Sequence, residues 1–279
     1  MSRVPLCAGA VLVGALCTLT FAQTPSAESV ARQVQDRDIG RDSRGAMRMR
    51  LYDRQGRSRE RAMTVATLRA RGKPGAAPYA PKGDRLLIRF TFPNDIRGTG
   101  FLVWEHPDAD DERFLYLPSL GRVRRIAGSE TQESFVGSDF TYEEIGGREF
   151  DEYTYSFAGP DGTNASWTPP GGGPARPAWR LESRRKDRGA EFPRIVSLVL
   201  KDSLVAVSAD IFNRRDERQK VYSVKRLERV ENIWTVLESE MSNLLERTRT
   251  ELIVESIDYN VLLFEEDFSR RELERGAGK

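Results

Sequence analysis

The chain has 279 residues, of which 39% are hydrophobic and 31% charged, a composition typical of a folded protein. Its 44 Lys and Arg residues and 42 Asp and Glu residues leave a net charge of +2, which argues against binding nucleic acid through a strong overall positive charge. The single histidine is His106, and the only cysteines, Cys7 and Cys17, lie near the N-terminus. Most catalytic triads and the common zinc sites are therefore excluded.

The N-terminus has the pattern of a secretory signal peptide. Arg3 precedes an uncharged, mostly apolar stretch at 4–21, and Thr20-Phe21-Ala22 places small residues before a cleavage site. An uncleaved membrane anchor is the alternative, because the apolar stretch is near the lower length limit for spanning a bilayer. We predict a signal peptide over 1–22, cleaved after Ala22, which leaves an exported protein at 23–279.

The rest of the chain begins with a helical pattern and continues with strand alternation. Pro25 and Ser26 start a segment with apolar residues at helical spacing, which predicts an amphipathic helix over 24–39. From Ala46 onward, short segments alternate between apolar and polar residues and are joined by turns. This pattern predicts about a dozen strands in an antiparallel sheet that curls toward a barrel. The Gly- and Pro-rich stretch at 159–177 is expected to be an exposed loop within one domain.

The alternation indicates that one face of the sheet is apolar. Besides the first helix, only short segments around 138–145 and 265–275 are expected to be helical, so few helices are available to fill the concave side. Periodicity alone supports two alternatives equally: an apolar cavity, or a sheet closed so tightly that its own side chains fill the interior. The residues that alternation places on the cavity face, with plain core packing as the alternative, are Met49, Leu51, Ile88, Phe90, Phe101, Val103, Val207 and Leu252.

Polar groups provide few candidates for chemistry. Asp139 and Glu143 have a spacing that suits a carboxylate pair of a hydrolase, but it suits solvated helix positions better. Alternate arginines on strands are candidates for contact with lipid headgroups or an acidic partner, and a solvated face paired with acidic neighbours is the alternative. These arginines are Arg48, Arg50, Arg122, Arg124 and Arg125.

Three motifs carry a family resemblance. They read GTGFLVW at 98–104, FLYLPSLGRVRRI at 114–126 and SFVGSDFTYEE at 134–144, and the segment from Tyr259 to Leu273 is similar too. With these motifs the chain resembles the LolA-like outer-membrane lipoprotein-sorting protein family over most of its length. The resemblance implies a strongly curved antiparallel sheet of about 11–12 strands, an incomplete barrel with two or three helices over its open side. It implies no catalytic residue, metal or cofactor.

The same resemblance implies a function. We predict a periplasmic carrier of a Gram-negative bacterium that binds lipid or lipoprotein acyl chains in an apolar cavity. It is expected to move them between the inner and outer membranes, together with an inner-membrane exporter of the resistance-nodulation-division (RND) type and an outer-membrane acceptor. The alternative is an envelope adaptor that docks on an exporter complex without transporting anything. Neither function is enzymatic.

Overall fold

The computed structural model describes residues 24–275. The predicted signal peptide and its cleavage site therefore lie outside the described residues. Within 24–275, no helix has both the length and the apolar character needed to cross a membrane.

One antiparallel sheet of 14 strands forms the fold. The strands β1 to β6 and β9 to β14 form two meanders, which are joined side by side where β1 pairs with β14. The sheet does not close, because β6 lies at one edge and β7 at the other. The strands are β1 (Asp42–Tyr52), β2 (Ser58–Leu68), β3 (Arg85–Phe92), β4 (Gly100–Trp104), β5 (Glu112–Leu117), β6 (Arg122–Ile126), β7 (Tyr153–Phe157), β8 (Ala165–Trp167), β9 (Arg176–Arg185), β10 (Arg194–Leu200), β11 (Ala206–Phe212), β12 (Arg218–Val230), β13 (Ile233–Asn243) and β14 (Thr248–Tyr259).

The predicted fold class, a curved incomplete barrel with few helices, is confirmed. The strand number is higher than expected, partly because the loop predicted at 159–177 contains the short strand β8. Residues Ala165–Trp167 pair with Arg176–Ala178 of β9, and this pairing turns the Gly- and Pro-rich stretch into the tip of a hairpin. Three residues between glycines and prolines are too few to show an alternating pattern.

Three α-helices accompany the sheet: α1 (Ala27–Asp36), α2 (Tyr142–Gly146) and α3 (Arg270–Arg275). The hydroxyl of Ser26 caps α1 by accepting a hydrogen bond from the Ser29 amide at 3.1 Å. The segment predicted to be helical from Ser138 forms only the short α2, which Thr141 caps with the reciprocal pair of bonds to Glu144. The helix starts later than expected because the Asp139 amide donates a hydrogen bond to the Thr250 hydroxyl of β14 at 3.0 Å, and the Ser138 hydroxyl bonds to the Phe140 carbonyl two residues along.

The two faces of β4 pack against different parts of the chain. Phe101 and Val103 join a core on the face that also carries Phe90, whereas Leu102 packs on the opposite face against Phe268 and Leu273 of the C-terminal segment. Gly100 permits this close approach, since a Cβ there would lie 2.5 Å from the Leu273 side chain. The C-terminal segment thus covers the outer face of β3 to β5.

The segment 127–152 connects the two edges of the sheet, because it runs from the end of β6 to the start of β7. We call it the connecting segment. Its Phe135 is fully buried, with the ring centroid 5.4 Å from that of Phe101 and 5.9 Å from that of Phe90. Its Phe140 packs instead against β10, β11 and β13. The connecting segment therefore lies across the concave face and contacts both meanders.

Candidate functional site

A cavity of about 550 Å³ lies between α1, the connecting segment and the concave face of the sheet. Its wall includes Val34 of α1, Ile145 of α2, Ile88 of β3, Met241 of β13 and Leu252 of β14. Both meanders thus contribute to one space. The volume lies within the range of about 300–1,000 Å³ that is typical of sites for small ligands.

The cavity wall is mainly aliphatic and aromatic. The polar residues that interrupt it are Gln35, Glu144, Arg148, Tyr155, Ser183, Ser197, Tyr222 and Ser239. Burial raises the pKa of Tyr155 to about 12 and also raises the pKa of Tyr222. Both phenols therefore stay neutral near pH 7, and the Tyr155 hydroxyl donates a hydrogen bond to the Phe150 carbonyl at 3.0 Å.

A buried ion pair ties the connecting segment to the sheet beside the cavity. The Nζ atom of Lys220 on β12 lies 2.6 Å from Oε2 of Glu144, and both side chains are buried. The same Oε2 accepts a hydrogen bond from the Thr141 amide at 2.8 Å. Burial lowers the pKa of Lys220, and the Glu144 carboxylate opposes this effect. The contact thus balances the Glu144 charge within the protein.

The eight residues predicted for the cavity face fall into three places. Ile88 and Leu252 line the cavity. Five others, Met49, Leu51, Phe90, Phe101 and Val103, belong to a buried core that Phe135 and Tyr142 of the connecting segment cover. Val207 packs in a separate cluster with residues of β9, β10 and β12. The connecting segment thus occupies part of the face that alternation predicted for the cavity, and Val207 lies apart from the cavity wall.

The five predicted contact arginines lie outside the cavity wall. Arg48 pairs with Glu60 and Glu255, and Nε of Arg50 lies 2.7 Å from Oε1 of Glu60. On β6, Arg124 pairs with Glu130 at 2.7 Å and Arg125 lies 3.8 Å from Glu112, while Arg122 is exposed. Arg48, Arg50 and Arg124 therefore form ion pairs within the protein.

Asp139 and Glu143 are also engaged in structural contacts and do not face each other across a shared site. Asp139 accepts hydrogen bonds from the hydroxyls of Thr248 and Thr250 on β14. Glu143 accepts one from the Tyr153 hydroxyl at 2.7 Å and pairs with Arg185. Residues 24–275 hold no group of three or more His, Cys, Asp or Glu side chains arranged to bind a metal ion.

The sequence analysis missed the cavity residues on elements that supplied none of the eight predicted cavity residues. Ala31 and Val34 on α1, Phe140 on the connecting segment and Val199 on β10 all line the cavity. The helical spacing of Ala27, Val30, Ala31 and Val34 did show that α1 has an apolar face in need of a partner. The connecting segment has no regular period that would show which way Phe140 points.

Comparisons with known proteins cover most of the chain. A family model described as an uncharacterized protein matches residues 82–275. The crystal structure of a DUF1329 family protein from Desulfovibrio piger is 28% identical, with a TM-score of 0.74, over 88% of this chain and 97% of that one. No curated protein matches the sequence.

Two further crystal structures share the fold. A putative outer membrane lipoprotein-sorting protein domain from Vibrio parahaemolyticus is 25% identical, with a TM-score of 0.76, over 89% of this chain and 98% of that one. A LolA superfamily protein from Nitrosomonas europaea is 13% identical, with a TM-score of 0.62, over 89% of this chain and 99% of that one, a likeness that shows the fold alone.

Proposed function

Because the chain belongs to the LolA-like DUF1329 family, we propose that it is a carrier that binds lipid or lipoprotein acyl chains in the cavity on its concave face. The observation that carries this proposal is the apolar cavity of about 550 Å³ that lies between α1, α2 and the sheet and opens to solvent. The name of the Vibrio parahaemolyticus relative, a putative lipoprotein-sorting domain, supports the same class of cargo.

The energetics suit acyl chains. Each methylene removed from water contributes about 0.8 kcal/mol, so one long acyl chain contributes on the order of 10 kcal/mol to binding. Apart from Arg148, the ionisable groups beside the cavity are either engaged in structural contacts, as in the pair of Glu144 and Lys220, or kept neutral by burial, as in Tyr155 and Tyr222. Such a site suits cargo that is bound and released unchanged.

The proposal extends to location and partners. We propose that the protein works in the periplasm and passes its cargo between an inner-membrane exporter of the RND type and an outer-membrane acceptor. The sequence at Thr20-Phe21-Ala22 supports export with cleavage after Ala22. N-terminal sequencing of protein from the cell envelope is expected to begin at Gln23, whereas full-length protein held in the inner membrane would establish the membrane anchor instead.

Mass spectrometry of organic extracts tests the cargo. Protein purified without delipidation is expected to carry near-stoichiometric phospholipid or acyl chains, and Val34→Glu, which places a charge on the cavity wall, is expected to lose them while remaining folded. The matched control is Val261→Glu, because Val261 is 40% exposed and does not line the cavity. Wild-type protein that is reproducibly empty and takes up no fluorescent fatty acid would refute the carrier and favour the adaptor.

A further inference from the structure

We infer that the cavity takes amphiphiles with an anionic head, a carboxylate or a phosphate, and that the guanidinium of Arg148 binds this head. The inference rests on the proposed lipid-binding function and adds the chemical class of the ligand. Its basis is a cation on the wall of an apolar cavity that the rest of the protein leaves without a full set of partners.

Arg148 follows α2 and lines the cavity. Its side chain is 35% exposed, so it lies where the cavity meets solvent. Its only ion pair within residues 24–275 is to Glu144, with 3.7 Å between Nη2 and Oε1, and it donates no hydrogen bond to any described residue. A guanidinium has five N–H donors in a planar fork that matches a carboxylate or a phosphate. Arg148 therefore has donors free for a ligand.

Glu144 does not neutralise Arg148. The Glu144 carboxylate already has the Lys220 ammonium at 2.6 Å and the Thr141 amide at 2.8 Å, both on Oε2. Glu144 is thus shared between Lys220 and Arg148, and Lys220 lies closer to it. The positive charge of Arg148 also acts on Tyr155 in the cavity wall: burial is the largest effect and raises the pKa of Tyr155, and Arg148 is the largest effect that lowers it. An anion at the mouth would find a cation that is not otherwise balanced.

The arrangement suits a ligand with two chemically different ends. The deeper wall has aliphatic and aromatic groups from both meanders, whereas the cation sits at the solvent boundary. A second polar atom on the wall, Oε1 of Gln35, is buried without a hydrogen-bond partner in the described part of the chain. A hydroxyl or amine beside the acidic group of the ligand would satisfy this acceptor.

A competition experiment tests the inference. Full-chain, delipidated protein is loaded with a neutral fluorescent hydrocarbon at pH 7.5, and the probe is displaced with hexadecanol, palmitate or hexadecyl phosphate. We expect the better of the two acids to compete at about tenfold lower concentration than the alcohol, as for a partly exposed charge-assisted hydrogen bond. Comparison of palmitate with hexadecyl phosphate then distinguishes a carboxylate head from a phosphate head.

Variants of Arg148 test whether this residue causes the preference for acids. Arg148→Gln is expected to remove the preference for acids and leave hexadecanol binding unchanged. Arg148→Lys keeps the charge and is expected to retain part of the preference, which provides a second readout if Arg148→Gln does not fold. The matched control is Arg188→Gln, an exposed turn residue between β9 and β10 that does not line the cavity and should keep the full preference.

Some results would overturn only the inference, and others would overturn the proposed function as well. Equal binding of the alcohol and both acids by the wild type, or equal loss of all three in Arg148→Gln, would refute the anionic head but leave a lipid carrier. Failure of all three ligands to displace the probe, or of the probe to bind, would refute the carrier as well.

Discussion

Replacing Phe90 with Glu tests whether Phe90 lies in the filled part of the concave face and not in the cavity. Phe90 is 1% exposed and packs against Phe135 of the connecting segment. Removal of a buried phenylalanine side chain costs about 3–5 kcal/mol, and burial of a polar group without a partner adds at least about 2 kcal/mol. Arg61, whose guanidinium carbon lies 6.0 Å from the Phe90 ring centroid, already donates a hydrogen bond to the Val136 carbonyl and would have to turn away from it to pair fully with the new carboxylate.

The sum of these costs is about 5–7 kcal/mol, which approaches the whole stability of a typical domain. We therefore expect Phe90→Glu to be unfolded or to melt about 10–20 °C below the wild type by circular dichroism. Phe92→Glu is the matched control two residues along the same strand. Phe92 is 51% exposed, so its replacement should change the melting temperature by only a few degrees.

Leu252 provides the corresponding test at a position that lines the cavity. A carboxylate there reaches water through the open cavity, so Leu252→Glu should keep its fold and lose uptake of a fluorescent fatty acid. A folded Phe90→Glu protein with a wild-type melting temperature would refute the assignment of Phe90 to a dry core. A folded Leu252→Glu protein with unchanged uptake would remove Leu252 from the site.

Further predictions concern the buried charges. Glu144→Gln leaves the Lys220 ammonium buried without its carboxylate, so the free energy of unfolding in urea should fall by about 3–5 kcal/mol. The double variant Glu144→Gln/Lys220→Met removes the unpaired charge and should recover most of this loss. A double variant as unstable as the single one would contradict the pairing. Burial raises the pKa of Asp111 from 3.8 to about 6, so the folded state binds more protons than the unfolded state between these values. The stability contributed by Asp111 should therefore fall as the pH rises from about 4 to about 6, and Asp111→Asn should show a flatter dependence of the urea midpoint on pH than the wild type.

Much of the fold was predictable because each strand carries its own signal. The alternation of apolar and polar residues depends only on a strand having two different faces, so the prediction that Ile88 and Phe90 share one face is correct. The long arginine- and glutamate-rich strands at the end of the chain show the same period. The short β8 was not predictable, since three residues carry no period.

The site was less predictable than the fold. Alternation tells which side chains share a face, but not which part of that face is covered by a distant segment. Phe135 and Tyr142 cover the part that carries Phe101 and leave Leu252 at the cavity, and this division depends on contacts made far along the chain. Arg148 follows two glycines in a segment without regular period, so its place at the cavity mouth had no signal in the sequence.

The open sheet has a consequence for how copies of the protein meet. An uncovered strand edge offers unpaired amide and carbonyl groups to any other edge and is a route to aggregation. Edge strand β6 has only five residues, and three of them are the arginines Arg122, Arg124 and Arg125. Arg122 is exposed and has no ion pair among residues 24–275, so two such edges bring like charges together, and the short strand gives few hydrogen bonds to offset their repulsion. The charge on β6 thus disfavours pairing between two β6 edges, while the sheet stays open as a cavity requires.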